Sequence, residues 1–265
     1  MIGIFDSGVG GMTVARAVEE ALPGMRLTYF GDLARSPYGS KSPAAITRYA
    51  FENTEFLISK GARMIVVACN SAASVAADEL KETFDVPFFE VITPAVRNAV
   101  SSSRNGRIGV IGTRATVTSA IYERKIRDIQ ADLQVFSKAC PLLVPLVEEG
   151  WLNKQETKMI IRRYLHSLKI RQVDTLVLGC THYPLLRKLI QPRIGSRVEV
   201  VDSATSVAEE LKAHVEQNRE NYLSADEPDR NVYYLSDITE SARQTARRIF
   251  GRDIDFKVAN GLFTN

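Results

Sequence analysis

The sequence has few cysteines, no long apolar run and almost no excess of charge. Its 3 cysteines in 265 residues are Cys69, Cys140 and Cys180, an odd number at spacings that match no disulfide framework. We therefore predict free thiols in a reducing compartment, the cytoplasm. No charged segment with an apolar one after it precedes the first motif, and no run of about 18 apolar residues occurs. We expect neither a secretory signal nor a membrane partner.

The balance of charges excludes one class of protein and argues against another. With 34 basic and 31 acidic residues the net charge is +3, and 45% of the residues are hydrophobic, which excludes a disordered chain. Lysine and arginine are interspersed with acidic residues, as in DIDFK at 253–257. Since no basic stripe is present, the sequence does not favour a nucleic-acid partner, although the positive net charge alone does not exclude one.

Short apolar segments alternate with stretches of helical periodicity. This alternation predicts an α/β fold with parallel, doubly wound sheets, because the apolar segments need cover on both faces. The predicted strands are 2–5, 27–30, 64–67, 88–91, 107–111, 134–136, 176–178 and 198–201. The predicted helices are 44–60, 78–84, 116–130, 155–168 and 206–217.

The chain carries a similar pattern twice. GIFDSGVGG at 3–11 is similar to GVIGTRATV at 109–117, and IVVACNSAAS at 65–74 is similar to TLVLGCTHYP at 175–184. Internal duplication is the leading interpretation, with two pseudo-symmetric domains and a cleft between them. A chance similarity of generic strand–helix turns is the alternative. We expect the chain after about residue 206 to pack back on the first half.

Two turns that follow predicted strands could hold a ligand. In Asp6-Ser7-Gly8-Val9-Gly10-Gly11, glycines let the backbone approach an anion at the next helix N-terminus. GVGG lacks the GxGxxG spacing of dinucleotide sites and has no Walker lysine, so a helix cap with a small carboxylate ligand fits better. Pro37-Tyr38-Gly39 lies in a turn-rich segment on the same sheet edge, where a plain surface loop is the alternative.

Cys69-Asn70-Ser71 and Cys180-Thr181-His182 carry the strongest chemical signal. Each cysteine follows a predicted strand at a point where a helix is expected to begin, and a helix N-terminus favours the thiolate. A single buried cysteine is most often a small hydrophobic residue. Two cysteines at matched positions of two similar halves instead predict thiols that face each other across one cleft.

Three other chemistries fit these residues less well. No CxxC or HxxxH pair supports a zinc site around Cys180 and His182. His182 is too close in sequence to Cys180 to be the obvious base of a cysteine protease, although it could serve Cys69. No lysine stands out for a Schiff base, since Lys41 lies in a polar loop.

Two opposed thiols around a small ligand suggest proton transfer at a stereocentre. One thiolate removes the Cα proton, and the opposite thiol returns a proton from the other face; an ordinary thiol pKa of about 8.5 permits both states near neutrality. Asp6 is expected beside Cys69, and His182 beside Cys180, to position or tune the thiols. The side chains expected to hold the substrate carboxylate are Asn70, Ser71, Thr113 and Thr181.

The chain resembles the glutamate racemases of the cofactor-independent aspartate/glutamate racemase superfamily over nearly its whole length. The resemblance is carried, in this order, by IFDSGVGG, GDLARSPYGSKS, VACNSA, GVIGTRATV, CPLLVPLVEEG and LGCTHYPLL. It implies a cytoplasmic homodimer that supplies D-glutamate for peptidoglycan synthesis without pyridoxal phosphate or a metal. It also implies two α/β domains, 1–95 plus 207–265 and 96–206, with the active site between them.

The resemblance also implies a role for each matching residue. Cys69 would be the base that acts on D-glutamate, and Cys180 the base that acts on L-glutamate. Asp6 and His182 would assist them, together with a glutamate of the VEE motif, for which we favour Glu148; an exposed acidic turn is the alternative. The predicted substrate-binding residues are Asp6, Ser7, Pro37, Tyr38, Gly39, Asn70, Ser71, Thr113, Thr181 and His182.

One departure and two alternatives accompany this resemblance. Ser71 stands where the family usually has threonine, and it keeps the hydroxyl. An aspartate racemase would share the two thiols but should not carry IFDSGVGG or SPYGSKS. A glutamate-binding or interaction protein, such as an inhibitor of DNA gyrase, would need hydrogen-bond donors rather than two acid/base groups.

Overall fold

The computed structural model describes residues 1–222 and 231–259, and its first sheet is built from both ends of that chain. The six strands of this sheet are β1 Ile2–Asp6, β2 Leu27–Gly31, β3 Met64–Val67, β4 Phe88–Glu90, β9 Val232–Leu235 and β10 Phe256–Val258. They lie in the order β10-β9-β2-β1-β3-β4 and are all parallel. Two strands from the chain after residue 206, β9 and β10, therefore lie in the same sheet as β1 to β4. Residues 223–230 and 260–265 of the predicted first domain lie outside the described residues.

The second sheet is formed by the middle of the chain. Its strands are β5 Arg107–Gly112, β6 Gln134–Ala139, β7 Thr175–Gly179 and β8 Glu199–Asp202. They lie in the order β6-β5-β7-β8 and are also parallel. This order repeats β2-β1-β3-β4 of the first sheet, which is the topology that a duplicated unit produces. The predicted α/β fold with parallel sheets is confirmed, and all eight predicted strands are present.

Helices cover both faces of the sheets. They are α1 Met12–Ala21, α2 Pro43–Ser59, α3 Asn70–Thr83, α4 Ile92–Ser102, α5 Arg114–Thr118, α6 Ile121–Ile129, α7 Leu143–Glu148, α8 Gln155–Ile170, α9 Arg187–Ile194, α10 Ser203–Gln217, α11 Arg219–Tyr222 and α12 Glu240–Phe250. The prediction of one helix over 116–130 was wrong, because Ala120 adopts the left-handed conformation (φ 53°) and separates α5 from α6. Within residues 1–222 and 231–259, no helix has the length and hydropathy needed to cross a membrane.

The central strands are buried on both faces, which explains their continuous apolar sequences. Every residue of β1, β2, β3 and β7 is buried. One core cluster surrounds the first sheet and extends to one face of the second; another lies between the second sheet and α7, α8 and α9. Each buried aliphatic side chain contributes about 1.5–3 kcal/mol to stability.

The two sheets are joined through α4 and α10, which pack side by side. Nδ2 of Asn98 on α4 donates to Oγ of Ser206 on α10 at 2.8 Å. At the exposed edge of the same contact, Arg97 forms an ion pair with Glu210 at 2.5 Å. This junction turns the carboxyl ends of the two sheets towards one another, so residues that follow β1, β3, β5 and β7 line a common cavity.

Candidate active site

The cavity between the sheets gathers most of the residues that the sequence predicted. Its lining residues are Ser7, Pro37, Tyr38, Gly39, Cys69, Asn70, Ser71, Thr113, Val144, Cys180, Thr181 and His182. Asp6 and Glu148 do not line it but contact residues that do. Cys140 does not line the cavity; it follows β6, and its thiol donates to the carbonyl of Lys138 at 3.5 Å.

Cys69 occupies the N-cap position of α3, directly after β3. The side chain of Cys69 is buried, with 5% of the residue exposed to solvent. Burial, together with the Asp6 carboxylate, raises the pKa of Cys69 to about 12, although hydrogen bonds from Ala72 and Ser7 oppose the shift. Without a substrate, this thiol therefore holds its proton.

Cys180 follows β7 and faces a different partner. Its sulfur lies 3.9 Å from Nδ1 of His182, and Nε2 of that ring lies 3.1 Å from Oε1 of Glu148. Burial lowers the pKa of His182, but the contacts with Cys180 and Glu148 outweigh it and raise the pKa to about 10. The imidazole is therefore cationic at neutral pH and lies directly beside the sulfur of Cys180. The contact also distinguishes the two acidic residues of the VEE motif, because Glu149 is exposed.

Asp6, at the end of β1, connects the glycine-rich turn to the opposite half of the site. It is 0% exposed; Oδ2 accepts from the amide of Gly8 at 3.0 Å, and Oδ1 accepts from the hydroxyl of Thr181 at 3.3 Å. Burial raises the pKa of Asp6, with the charge of His182 opposing. Gly10 is required by close packing, because a Cβ there would overlap the ring of His182.

The turn after β2 is held by a buried carboxylate. Asp32 is 0% exposed and accepts hydrogen bonds from the hydroxyl of Tyr38 and, at 2.6 Å, from Nε of Arg35. Asn53 donates to the Tyr38 oxygen at 3.1 Å. These contacts fix the ring of Tyr38, and with it the peptide of Gly39 that lines the cavity.

Hydroxyl groups close the cavity on the side of α3. Oγ of Ser71 lies 2.9 Å from Oγ1 of Thr113, which caps α5 by accepting from the amide of Thr116 at 3.3 Å. Ser71 belongs to the first sheet's side of the cleft and Thr113 to the second's. The pair therefore joins the two halves across the site.

The Asp/Glu/Hydantoin racemase family matches residues 6–211. This chain belongs to that family. It is 45% identical over 264 residues to a glutamate racemase from Aquifex pyrophilus. The aligned region covers 100% of this chain and 99% of the relative.

Solved structures of glutamate racemases share the fold of this racemase. A glutamate racemase isoform from Bacillus anthracis is 34% identical and superposes with a TM-score of 0.92 over 98% of this chain and 97% of its own. A glutamate racemase from Francisella tularensis, solved in complex with D-glutamate, is 30% identical with a TM-score of 0.91 over 99% and 97% of the two chains. The resemblance that the sequence motifs indicated is confirmed, as is the prediction of an enzyme of the racemase class.

Three residues of the racemase site were not predicted from the sequence. Asp32 fixes Tyr38, Tyr122 donates to Oδ1 of Asn70 at 2.7 Å, and Thr13 donates to the carbonyl of Thr181 at 3.0 Å. Thr13 and Tyr122 lie on helices, where a polar residue in an apolar pattern was the only available signal. Asp32 lies within the GDLARSPYGSKS motif, but the sequence gives no sign that its carboxylate is buried.

The polar side chains around the cavity of this racemase are acid/base groups and neutral hydrogen-bond donors. Among residues 1–222 and 231–259, no group of three or more histidine, cysteine or acidic side chains is placed to hold a metal ion. Around the cavity the structure instead gathers two thiols, one imidazole and neutral donors. That combination suits proton transfer next to a carboxylate.

Proposed function

We propose that this protein interconverts L- and D-glutamate by direct proton transfer between two cysteines. One observation carries the proposal: Cys69 and Cys180 come from different sheets and line the same cavity. The glutamate racemases that are 42–47% identical to this chain support glutamate as the substrate. The product D-glutamate would serve peptidoglycan synthesis in the cytoplasm.

In the L-to-D direction, Cys180 is the base and Cys69 the acid. The Cys180 thiolate takes the proton from Cα, the electron pair moves into the substrate carboxylate, and the Cys69 thiol donates its proton to the opposite face of Cα. The roles reverse for D-glutamate. The raised pKa of Cys69 suits this thiol to the role of acid in the first of these directions.

The remaining residues of the cavity would bind the substrate and stabilise charge. The Cα proton is weakly acidic, so donors at the carboxylate must stabilise the carbanionic state in a site from which water is excluded. Asp6 and Glu148 would act through Thr181 and His182 respectively. The groups proposed to bind glutamate directly are Ser7, Pro37, Tyr38, Gly39, Asn70, Ser71, Thr113, Thr181 and His182.

Substrate entry would require the two halves to separate. The cavity volume is about 20 Å³, which is room for about one water molecule and too little for glutamate. We propose that the halves are the domains 1–95 plus 207–265 and 96–206, with motion at the junction of α4 and α10. Assembly as a homodimer is part of the same proposal.

The deciding experiment uses purified protein in deuterated water with no pyridoxal phosphate and no added metal. We expect L- and D-glutamate to racemise, with deuterium at Cα of the product, followed by optical rotation and mass spectrometry. Aspartate is the comparison substrate, and we expect it to turn over far more slowly. Preferred turnover of aspartate would move the assignment to an aspartate racemase. Binding of glutamate without exchange from either enantiomer would favour a binding protein.

A further inference from the structure

Asn70 directs a buried donor into the active site. Its Nδ2 is buried and has no hydrogen-bond partner among the described residues, whereas its Oδ1 accepts the 2.7 Å hydrogen bond from Tyr122. Asn70 lines the cavity that holds both thiols. A buried donor is unfavourable unless something satisfies it, so Nδ2 is suited to an oxygen of the substrate.

The hydroxyl of Tyr122 determines which end of the Asn70 amide faces the cavity. A phenol can donate or accept, but this phenol proton has no other acceptor in the part of the chain that the structure describes. If the amide were reversed, Nδ2 would donate to the phenol oxygen and the buried phenol proton would lose its acceptor. With Oδ1 towards Tyr122, the proton is satisfied and Nδ2 remains for the substrate.

The ring of Tyr122 lies against the strand end that carries the other thiol. A Cβ at Gly179 would come within 3.2 Å of Cε2 of Tyr122, and Cys180 is the next residue. The ring is 1% exposed, so its position is fixed by packing. Tyr122 therefore contacts the residue before Cys180 with its ring and the residue after Cys69 with its hydroxyl.

We propose that Tyr122 is a positioning residue for substrate binding: it holds the Asn70 amide with Nδ2 directed at the substrate and keeps Asn70 in register with the strand end that carries Cys180. This inference rests on the proposed function. Because the hydrogen bond of this hydroxyl among the described residues goes to Asn70, its loss weakens binding of both enantiomers more than it slows the chemical step.

The first test is Tyr122→Phe, which removes the hydroxyl and keeps the ring on Gly179. We expect KM for L- and D-glutamate to rise about tenfold, with kcat changed less than about threefold. The matched control is Tyr233→Phe, a tyrosine that is 4% exposed and hydrogen-bonds to Glu19 away from the cavity. Thermal unfolding should show a similar loss of stability in both variants. KM should rise only in Tyr122→Phe, so that the two effects can be separated.

The second test asks whether Tyr122 acts through Asn70. Asn70→Ala leaves the packing of Tyr122 intact and should raise KM at least as much as Tyr122→Phe. In the double variant the second substitution should add almost nothing, because both remove the same interaction. An unchanged KM in Asn70→Ala, an unchanged KM in folded Tyr122→Phe or additive effects in the double variant would each overturn the inference. A wild-type protein that racemises no glutamate would instead overturn the proposed function and, with it, the role of Tyr122.

Discussion

Glu148 places its carboxylate 3.1 Å from Nε2 of His182, on the side of the ring that faces away from Cys180. The Glu148 side chain is 29% exposed and the His182 side chain 4%, so the carboxylate contacts solvent while the imidazole is buried in the site. The backbone of Glu148 is held in turn, because its carbonyl accepts from the hydroxyl of Ser241 on α12 at 2.6 Å. The residue that pairs with His182 is thus held in place by a contact between α7 and a helix from the other end of the chain.

Glu148→Gln should lower the pH at which activity is lost on the alkaline side of the pH profile. Activity that needs cationic His182 is present below its pKa of about 10 and is lost as pH rises through that value. Removing the Glu148 charge lowers this pKa, so the fall in kcat/KM for L-glutamate should begin at lower pH. The pH profile of kcat/KM measures it, and Glu149→Gln, at the exposed neighbour, is the control. Superimposable profiles for wild type and Glu148→Gln would contradict the role of this contact.

Removing either of the two thiols that line the cavity should strongly reduce racemisation. We expect Cys69→Ala and Cys180→Ala each to lose about 10³-fold in kcat in both directions, since each direction needs one acid and one base. Cys140→Ala is the control, because the thiol of Cys140 does not line the cavity and donates a hydrogen bond to the Lys138 carbonyl. Polarimetry with each enantiomer provides the rates. Full activity in either of the first two variants would refute the two-thiol mechanism.

Asp32→Asn should destabilise the fold as well as the Tyr38 turn. The buried carboxylate accepts from Arg35, Tyr38 and Ser236, and the substitution takes away the charge that pairs with Arg35. We expect a loss of about 3 kcal/mol in the free energy of unfolding. Urea unfolding gives the value, with the exposed Asp237→Asn on the same side of the sheet as control. Equal stability of the two variants would show that the buried network contributes little.

Gly10→Ala should impair activity through packing alone. The added methyl would overlap His182 and come within 2.6 Å of Oγ1 of Thr181, so the two halves could not close to the observed distance. We expect kcat to fall about 100-fold, as misplacement by about 1 Å can produce. Gly8→Ala is the comparison, because its Cβ would meet Oγ of Ser36 at 3.2 Å and a hydroxyl can move. A larger loss in Gly8→Ala than in Gly10→Ala would contradict this explanation.

The α/β class, the eight strands of the two repeated units and the pair of cysteines could be predicted from the sequence. These features are local: continuous apolar strands, turn glycines and the residues at strand ends are all visible in short segments. The repeated motif even indicated that the two thiols would meet, because equivalent positions in two similar sheets lie at equivalent edges. The break at Ala120 could not be predicted, since a left-handed alanine has no sequence signal.

The groups that contact the two thiols could not be predicted from the sequence and became visible in the folded chain. Burial and then the Asp6 carboxylate raise the pKa of Cys69, while Glu148 holds the cationic His182 beside Cys180. No spacing along the chain distinguishes Glu148 from Glu149. Tyr122 and Asn70 are 52 positions apart and meet only when α6 packs over the cleft. Such contacts depend on burial and on the approach of distant elements, which desolvate the groups and shift their pKa values; a linear pattern contains neither.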